Sequence, residues 1–510
     1  MHAVNDVFVE HGRSMQDIGF TLPDRPPNID PPACYRNHVF SFDECSAQRE
    51  IFVSRFTSEQ HQAMADVLQA IDDTDSAARL FSVLSSAGTG KSWFVNGITW
   101  HLRAQSRIVL NVAASALAAT VLTGGRTAHS TFRIPIPASS SSLCGVKAGE
   151  RQLIREAAII FYDEISMVSV DVANTLDRSL REIMKNSKPF GGKVIVFLGD
   201  FKQLLPVIPG VLGDVTVKEC EWWQLCRPIK FTINWRAACN PEYSQFLHQV
   251  GMGCIESVEI PPTSRVQSIK ELVTAVYGDD MTTAPLHRNL ILALTLNTCD
   301  DINGYCMDMM PGSALTATAS DILPGHANQD TYPQDYVASI AVHGAPPATL
   351  TLKLHARCET HNVTLLITTN ALHRYMIVKN YDITRGIVNG TLCELLQYDR
   401  TLLQVRLLSG SQEGKVVLLP RCTFEVSAEN SGLPFAFKRT QFPIIPGYCA
   451  TVHKAQGQSL DRVGLAFLQD CFAHGQLYTA LSRTGGWHKI FVMMLSGECS
   501  LRNKVNKHVL

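Results

Sequence analysis

No apolar run in the chain approaches the roughly 18 residues that a membrane-crossing helix needs, so no bilayer-spanning segment is expected. The first residues, Met1-His-Ala-Val-Asn-Asp-Val, lack the basic and then apolar pattern of an export signal. Fifteen cysteines form no CxxC pair and no regular spacing. Cys220, Cys226 and Cys239 are the tightest group, and no histidine beside them completes a zinc pattern. Reduced thiols in the nucleus or cytoplasm are therefore expected, without a disulfide framework or a structural metal. Charge is not in excess either, since 45 basic residues face 46 acidic ones for a net −1. Any basic track must be local, because bulk charge offers a polyanion no hold. A composition of 45% hydrophobic and 18% charged residues excludes a disordered chain or a fibre. At 510 residues the chain exceeds one core, and two to four domains are expected.

What is present begins with Ser85-Ser-Ala-Gly-Thr-Gly-Lys-Ser92. An apolar run at 80–84 precedes it, and a helical pattern with Phe94, Val95, Ile98 and Leu102 follows. Strand, small-residue loop and helix in that order make a phosphate-binding loop. The backbone N–H groups of Ser86, Ala87, Gly88, Thr89 and Gly90 would wrap the phosphates of a nucleotide, and the helix dipole favours their charge. Lys91 would reach the β- and γ-phosphates, and the Ser92 hydroxyl would ligate Mg²⁺. The usual opening glycine of such loops is Ser85 here, which narrows the backbone options at the first turn.

Short apolar runs alternate with helical patterns from residue 55 to about 240. Those at 108–114, 158–162 and 193–198 read as buried parallel strands, with a helix carrying Val172, Leu176, Leu180 and Ile183 between the last two. A second set lies at 290–295, 463–467 and 490–495. The expected class is α/β, arranged in two lobes. Residues 345–439 alternate apolar and polar positions around turns such as Asn389-Gly390 and Ser409-Gly410, so a small β-barrel inserted in the second lobe is expected. The domains then run as follows: a Pro-rich irregular extension over 1–50, and a first lobe over 51–240 with a small insertion near 126–148. The second lobe takes 241–344 and 440–510, on either side of the barrel.

Two carboxylates, Asp163 and Glu164, end the strand at 158–162, where parallel sheets bind ligands. Asp163 would hold Mg²⁺ through water, and Glu164 would orient or deprotonate the attacking water. Gln203, after the strand at 193–198, can donate and accept at once beside the γ-phosphate. Arg236 and Arg483 supply guanidinium groups to neutralise charge developing on a transferred phosphoryl group.

With these motifs in order, the chain resembles a superfamily-one helicase of the PIF type, the group that also supplies the helicase of Helitron transposons. A large DNA virus or mobile element is among its expected sources. The strings are TSEQ at 57–60, SSAGTGKS at 85–92, LTGGRTAHSTFRIPI at 122–136, DEISMV at 163–168, GDFKQLLPV at 199–207, KRTQFPI at 438–444, ATVHKAQGQSL at 450–460 and HGQLYTALSR at 474–483. The resemblance implies two RecA-like lobes, ATP as the nucleotide with Mg²⁺, and 5′-to-3′ movement on single-stranded DNA with duplex unwinding at junctions. Replication, repair or recombination is the implied setting, with a monomer as the working form and replication or repair proteins as companions. Gln60 matches the glutamine that reads the adenine edge. Thr127, His129 and Phe132 fall in a segment that contacts single strands, and Thr451, His453 and Gln456 in one that couples the strand to the nucleotide. Two positions depart from the pattern: Ala455 stands for a serine, and Trp235 sits in a segment more usually Asn-Met-Arg.

A motor on a strand needs phosphate contacts plus stacking on aromatic faces. Phe132 beside Arg133 offers a ring and a cation, and Lys438-Arg439 and His453-Lys454 offer further charge. The competing readings are a nucleotide-gated DNA-binding or scaffold protein without turnover, and a small-molecule P-loop kinase. The intact set Lys91, Asp163, Glu164, Gln203, Arg236 and Arg483 favours turnover over the first. The second lobe and the chain length disfavour the kinase.

Overall fold

The computed structural model describes residues 42–510 apart from 74–78, 207–214, 280, 282–287, 324–331, 341, 343, 355–358, 361–362, 365–372, 384, 411, 429–432 and 496. Most of the expected N-terminal extension, Val207 of the GDFKQLLPV string and much of 356–372 therefore lie outside the described residues. Among the described residues, 42–268, 292–294 and 451–510 cluster into one compact unit, and 269–291 and 295–450 into another.

The first unit is organised by a parallel sheet. Its strands are β1 (Leu80–Leu84), β2 (Val109–Ala113), β3 (Arg126–Thr127), β4 (Ile159–Asp163), β5 (Ile195–Gly199) and β6 (Arg227–Ile229), in the order β3-β2-β4-β5-β1-β6. Every residue of β2, β4 and β5 is buried, as strands covered on both faces require. Register fixes where the chemistry goes. Leu84 pairs with Gly199 and Ala113 with Asp163, so the carboxyl ends of β1, β5, β2 and β4 stand level. Ligands bind at that edge of an open parallel sheet. A smaller parallel set in the same unit joins Arg462–Phe467, Ile490–Met494 and Arg265–Val266, with buried Leu465 paired to buried Val492.

The helices of this unit follow from local signals. α1 (Phe42–Val53) replaces the irregular chain expected up to residue 50. It docks on the helix after the phosphate loop, α3 (Lys91–Arg103): the Phe52 and Trp93 ring centroids lie 4.2 Å apart, and Trp93 Nε1 donates to Phe52 O at 3.1 Å. Between them, α2 (Ser58–Asp72) opens with a capping box in which the Thr57 hydroxyl accepts from Gln60 N and Gln60 Oε1 accepts from Thr57 N. α4 (Ala116–Val121), α5 (Ala128–Phe132) and α6 (Ala148–Glu156) follow β2 and β3. α7 (Val170–Met184) buries Ala173, Leu176, Leu180 and Ile183 at helical spacing, while Val172 is only half-buried. α8 (Pro241–Gly251) starts with proline in its first turn, where no N–H is needed.

The second unit carries antiparallel strands: β7 (Ser313–Thr318), β8 (Ser320–Ile322), β9 (Thr349–Leu354), β10 (Arg374–Ile377), β11 (Leu392–Tyr398), β12 (Leu402–Leu407), β13 (Val416–Pro420), β14 (Cys422–Val426), β15 (Phe437–Gln441) and β16 (Ile444–Pro446). They form a pair β7-β9, a three-stranded sheet β8-β15-β14 and a five-stranded sheet β13-β12-β11-β10-β16. Among the described residues these sheets are open, and no closed barrel is found. The edge strand β16 is three residues long and ends in Pro446, which has no N–H to give another strand.

In the sequence, Arg439 reads as a further phosphate contact; in the structure it is fully buried. Asp321 accepts from its Nε at 2.9 Å and from its Nη2 at 2.8 Å. The carbonyls of Ile340 and Val337 accept from its Nη1 and Nη2. Lys438 is exposed and paired with Glu425 at 2.8 Å. Removing one partner of a buried pair strands the other charge, at a cost of about 3–5 kcal/mol. Asp321→Ala should therefore lower the thermal unfolding midpoint clearly, whereas Glu425→Ala should leave it within experimental scatter. Equal midpoints for the two variants would show that the buried pair does not hold this unit together.

Candidate nucleotide site

The loop between β1 and α3 turns through two left-handed glycines, Gly88 at φ +84° and Gly90 at φ +82°. Gly88 is required twice over. A Cβ there would lie 2.6 Å from Asn234 Oδ1 and 2.7 Å from Arg236 Cβ, and its carbonyl accepts from Trp235 N at 2.9 Å. Ser85, in place of the usual glycine, has no positive φ. Its buried hydroxyl accepts from Phe231 N at 2.9 Å and so ties the loop's start to the segment that carries Arg236. Lys91 Nζ donates to Ser85 O at 2.7 Å and Ser86 O at 3.0 Å, folded back on its own loop. Burial lowers its pKa, against the pull of Asp200, Glu164 and Asp163.

Asp163 is buried at the end of β4, and its Oδ1 accepts from Glu164 N at 2.8 Å. Burial raises its pKa, while Lys91, that N–H and the nearby Ser92 hydroxyl oppose the rise. Glu164 takes a left-handed backbone, φ 54°. Burial first and Asp163 second push its carboxyl up to about 7, with Lys91 and Arg483 pulling the other way.

β5 delivers the residue to which most of the site is attached. Asp200 Oδ2 accepts from Tyr478 Oη at 2.8 Å, Ala87 N at 3.0 Å and Gln203 Nε2 at 3.2 Å. Burial alone would raise its pKa, but Lys202, Lys91, Tyr478 and Gln203 together hold it below the ordinary carboxylate value. Lys202 Nζ also donates to the Ser86 hydroxyl. Tyr478 belongs to the helix Gln476–Leu481, which packs on residues 201–204: His474 Nε2 meets Phe201 O at 2.7 Å, and Leu204 N donates to Thr479 Oγ1 at 3.2 Å. Gly475 makes that approach possible, because a Cβ there would lie 2.5 Å from Lys202 O.

Arg483, after the same helix, is fully buried. It donates to Gln203 Oε1 at 3.2 Å, Thr479 O at 2.8 Å, Ala455 O at 3.1 Å and Gln458 O at 3.2 Å. Arg236 donates to Ser482 O at 2.8 Å and to Ser459 Oγ, and burial followed by the neighbouring Arg483 lowers its pKa to about 9. Lys91, Ser92, Asp163, Glu164, Gln203, Arg236 and Arg483 thus converge within one compact unit. Gln60 joins them from α2, buried, with Nε2 3.5 Å from Gly90 O. Asp200, Lys202 and Tyr478 are functional neighbours that sequence reasoning misses. For Asp200 a signal exists, since it follows its strand much as Glu164 follows β4; Tyr478 lies far away in the chain and offers none.

The residues expected on a DNA strand behave less uniformly. Thr127 caps α5, its hydroxyl accepting from Ser130 N at 3.2 Å. His129 is half-buried, and burial lowers its pKa. For Phe132 the structure corrects the expectation: it is completely buried, in a core with Leu110, Ile134, Leu153 and Ile160, so its ring offers no face to a base. Thr451 and His453 are half-exposed, while Gln456 is buried with neither amide atom hydrogen-bonded among the described residues. No hydrogen bond among the described residues joins Thr127 or His129 to Thr451, His453 or Gln456.

Phe132→Ala should cost about 3–5 kcal/mol of stability, as for other buried rings. Strand binding should then fall only as far as the folded fraction falls. A variant that melts like its parent yet loses strand binding would return this ring to a DNA track.

Among known proteins, residues 55–259 match the PIF1-like helicase family. The chain is 28% identical over 407 residues to the ATP-dependent DNA helicase PIF1 of Homo sapiens, covering 78% of this chain and 56% of the human protein. It is 25% identical over 420 residues to the ATP-dependent DNA helicase Pif1 of Campylobacter jejuni, covering 78% and 85%. The chain thus spans just over half the length of the human relative. The crystal structure of Pif1 helicase from Candida albicans shares the fold with a TM-score of 0.60 at 22% identity, over 89% of this chain and 98% of that one. Bacteroides Pif1 bound to ssDNA gives 0.60 at 20% identity, over 89% and 93%. Family match, relatives and fold point the same way: over 55–259 the chain is similar to the PIF1-like helicases, and over most of its length it shares the fold of solved Pif1 structures.

Proposed function

We propose that the chain is an ATP-dependent DNA helicase that moves 5′ to 3′ on single strands and unwinds duplexes at junctions. One observation carries this reading: Arg483 and Arg236 converge with Lys91 and Gln203 on the loop that would cradle the phosphates. Cations held at lowered pKa by burial favour an anion in their midst, and a polyphosphate supplies one. The same reading takes 51–240 as one RecA-like lobe and 241–344 with 440–510 as the other, with 345–439 inserted as a small β-domain.

The residues fit Mg²⁺. The Ser92 hydroxyl is close enough to the Asp163 carboxylate to help hold its pKa down, and a hydroxyl with one carboxylate suits an ion that takes its remaining ligands from water and substrate phosphates. When bound, the ion would neutralise charge on those phosphates. The chain's own groups then have distinct tasks. Lys91 would leave the carbonyls of Ser85 and Ser86 for the β- and γ-phosphates. Gln203 would hold the attacking water, whose proton Glu164 would accept. Arg236 and Arg483 would meet the charge that develops on the transferred group. Thr127, His129, Thr451, His453 and Gln456 remain the proposed strand contacts. Replication, repair or recombination in the nucleus or cytoplasm is the proposed setting, with a monomer as the working form.

A nucleotide-gated scaffold without turnover is the rival, and catalysis separates the two. Single-stranded DNA should stimulate ATP hydrolysis, and substrates with a 5′ tail should open while those with only a 3′ tail should not. Lys91→Ala and Glu164→Gln should each abolish hydrolysis with little change in melting. Hydrolysis that persists in Lys91→Ala would place the catalytic centre elsewhere.

Strand affinity should fall steeply with salt despite the balanced net charge. For Z neutralised phosphates the log–log slope is about −0.7Z on a single strand. A slope near zero, measured by fluorescence anisotropy, would remove the phosphate track.

A further inference from the structure

The proposed nucleotide site takes the carboxyl ends of the parallel strands. The opposite edge of the same sheet carries charge that none of the proposed steps uses. Arg79 stands one residue before β1, Arg107 two before β2 and Lys193 two before β5. These strand entries lie side by side, since Ile195 N donates to Arg79 O at 2.9 Å and Ala158 N to Ile108 O at 2.9 Å. All three cations line one cavity of about 430 Å³, and Asp72 is the single carboxylate among its described lining residues.

Each of these side chains is held, yet each keeps donors in hand. Arg79 Nε donates to Gly192 O at 2.5 Å, and its Nη1 to Ala70 O at 3.2 Å and Asp73 O at 3.0 Å at the carboxyl end of α2. Lys193 is only 7% exposed, and its Nζ donates to Arg155 O at 2.5 Å and Ala157 O at 2.7 Å at the end of α6. Arg107 Nη1 meets Asp72 Oδ1 at 2.7 Å. Among the described residues, Arg79 Nη2, Arg107 Nε and Nη2 and the third N–H of Lys193 make no hydrogen bond.

Basic side chains commonly bond the last carbonyls of helices, and capping explains what fixes Arg79 and Lys193. It does not explain three cations around one carboxylate, because carbonyls hold a charge in place without neutralising it. Burial and the neighbouring Arg79 lower the Lys193 pKa to about 8, so the surroundings press this amine to give up its charge. Guanidinium groups with free N–H groups suit the oxygens of a phosphate. The volume falls within the range of small-molecule sites, about 300–1,000 Å³, so there is room for more than one phosphate group.

We propose that this cavity is a second anion site, separate from the phosphate loop, which takes a phosphate-bearing ligand: a free di- or polyphosphate compound, or the phosphates of a DNA strand. Arg79 and Arg107 hold the ligand's oxygens with their free N–H groups, and Lys193 supplies the third charge. Because it lies at the amino edge of the sheet, the site is filled without displacing a nucleotide from the loop.

Inorganic pyrophosphate is the probe, titrated by calorimetry into the full chain saturated with ADP, which keeps the phosphate loop occupied. One further equivalent should bind. Arg107→Gln removes a partly exposed side chain whose pair with Asp72 contributes little to stability, so it should melt like its parent and bind that equivalent about tenfold more weakly. Acetylation of Lys193 by a succinimidyl ester, followed by mass spectrometry, should slow several-fold when pyrophosphate is present, with or without ADP. A single-stranded oligonucleotide that slows acetylation as well, and displaces pyrophosphate, assigns the site to strand phosphates. An oligonucleotide without effect assigns it to free phosphate compounds. Absence of a second equivalent, or one that Arg107→Gln leaves intact, would overturn the proposal and leave these cations as helix caps. Acetylation of Lys193 that pyrophosphate does not slow would overturn it too.

Discussion

The arrangement of the site depends on one buried carboxylate. Asp200 accepts hydrogen bonds from the phosphate loop through Ala87, from Gln203 on its own segment and from Tyr478 near the chain's end. A single ionised oxygen thus joins three pieces of chain that β1, β5 and the helix Gln476–Leu481 deliver separately. Hydrogen bonds to a charged acceptor contribute more than neutral ones, about 1.5–3 kcal/mol each, and their absence would leave a buried charge uncompensated. With Lys202 and Lys91 nearby, the carboxylate stays ionised despite its burial.

The remaining charges at the site are less well matched. Burial lowers the pKa of Lys91, Arg236 and Arg483 and raises that of Asp163 and Glu164. Several of these groups meet backbone carbonyls in place of an opposite charge: Lys91 on Ser85 and Ser86, and Arg483 on Thr479, Ala455 and Gln458. Such contacts hold the side chains in place without neutralising them. An anionic ligand at the loop would change that balance, and the proposed chemistry draws on the difference.

Two departures from the pattern of the helicases this chain resembles have local explanations. A serine fits at position 85 because the backbone there needs no positive φ, and its hydroxyl gains Phe231 N as a partner. Ala455 is completely buried, and its carbonyl, not its side chain, meets Arg483. An alanine there leaves no hydroxyl to satisfy in the interior.

The sequence by itself determined the parallel strands, the phosphate loop and the chemical types gathered around it, because these are written in contiguous residues. Apolar runs specify buried strands, two glycines specify the turn, and an acidic pair at a strand end faces the ligand edge. Tertiary structure alone decided the partners. That Tyr478 reaches Asp200, that Arg483 lies on Gln203 and that Arg79 and Lys193 line one cavity follows from packing between segments far apart in the chain, which no local pattern records. The same reason accounts for the errors. Phe132 and Arg439 look like surface ligands in their own strings, yet Phe132 faces a core of residues from other strands and Arg439 meets a carboxylate 118 positions away. Burial is a property of the surrounding chain, so only the folded structure could assign it.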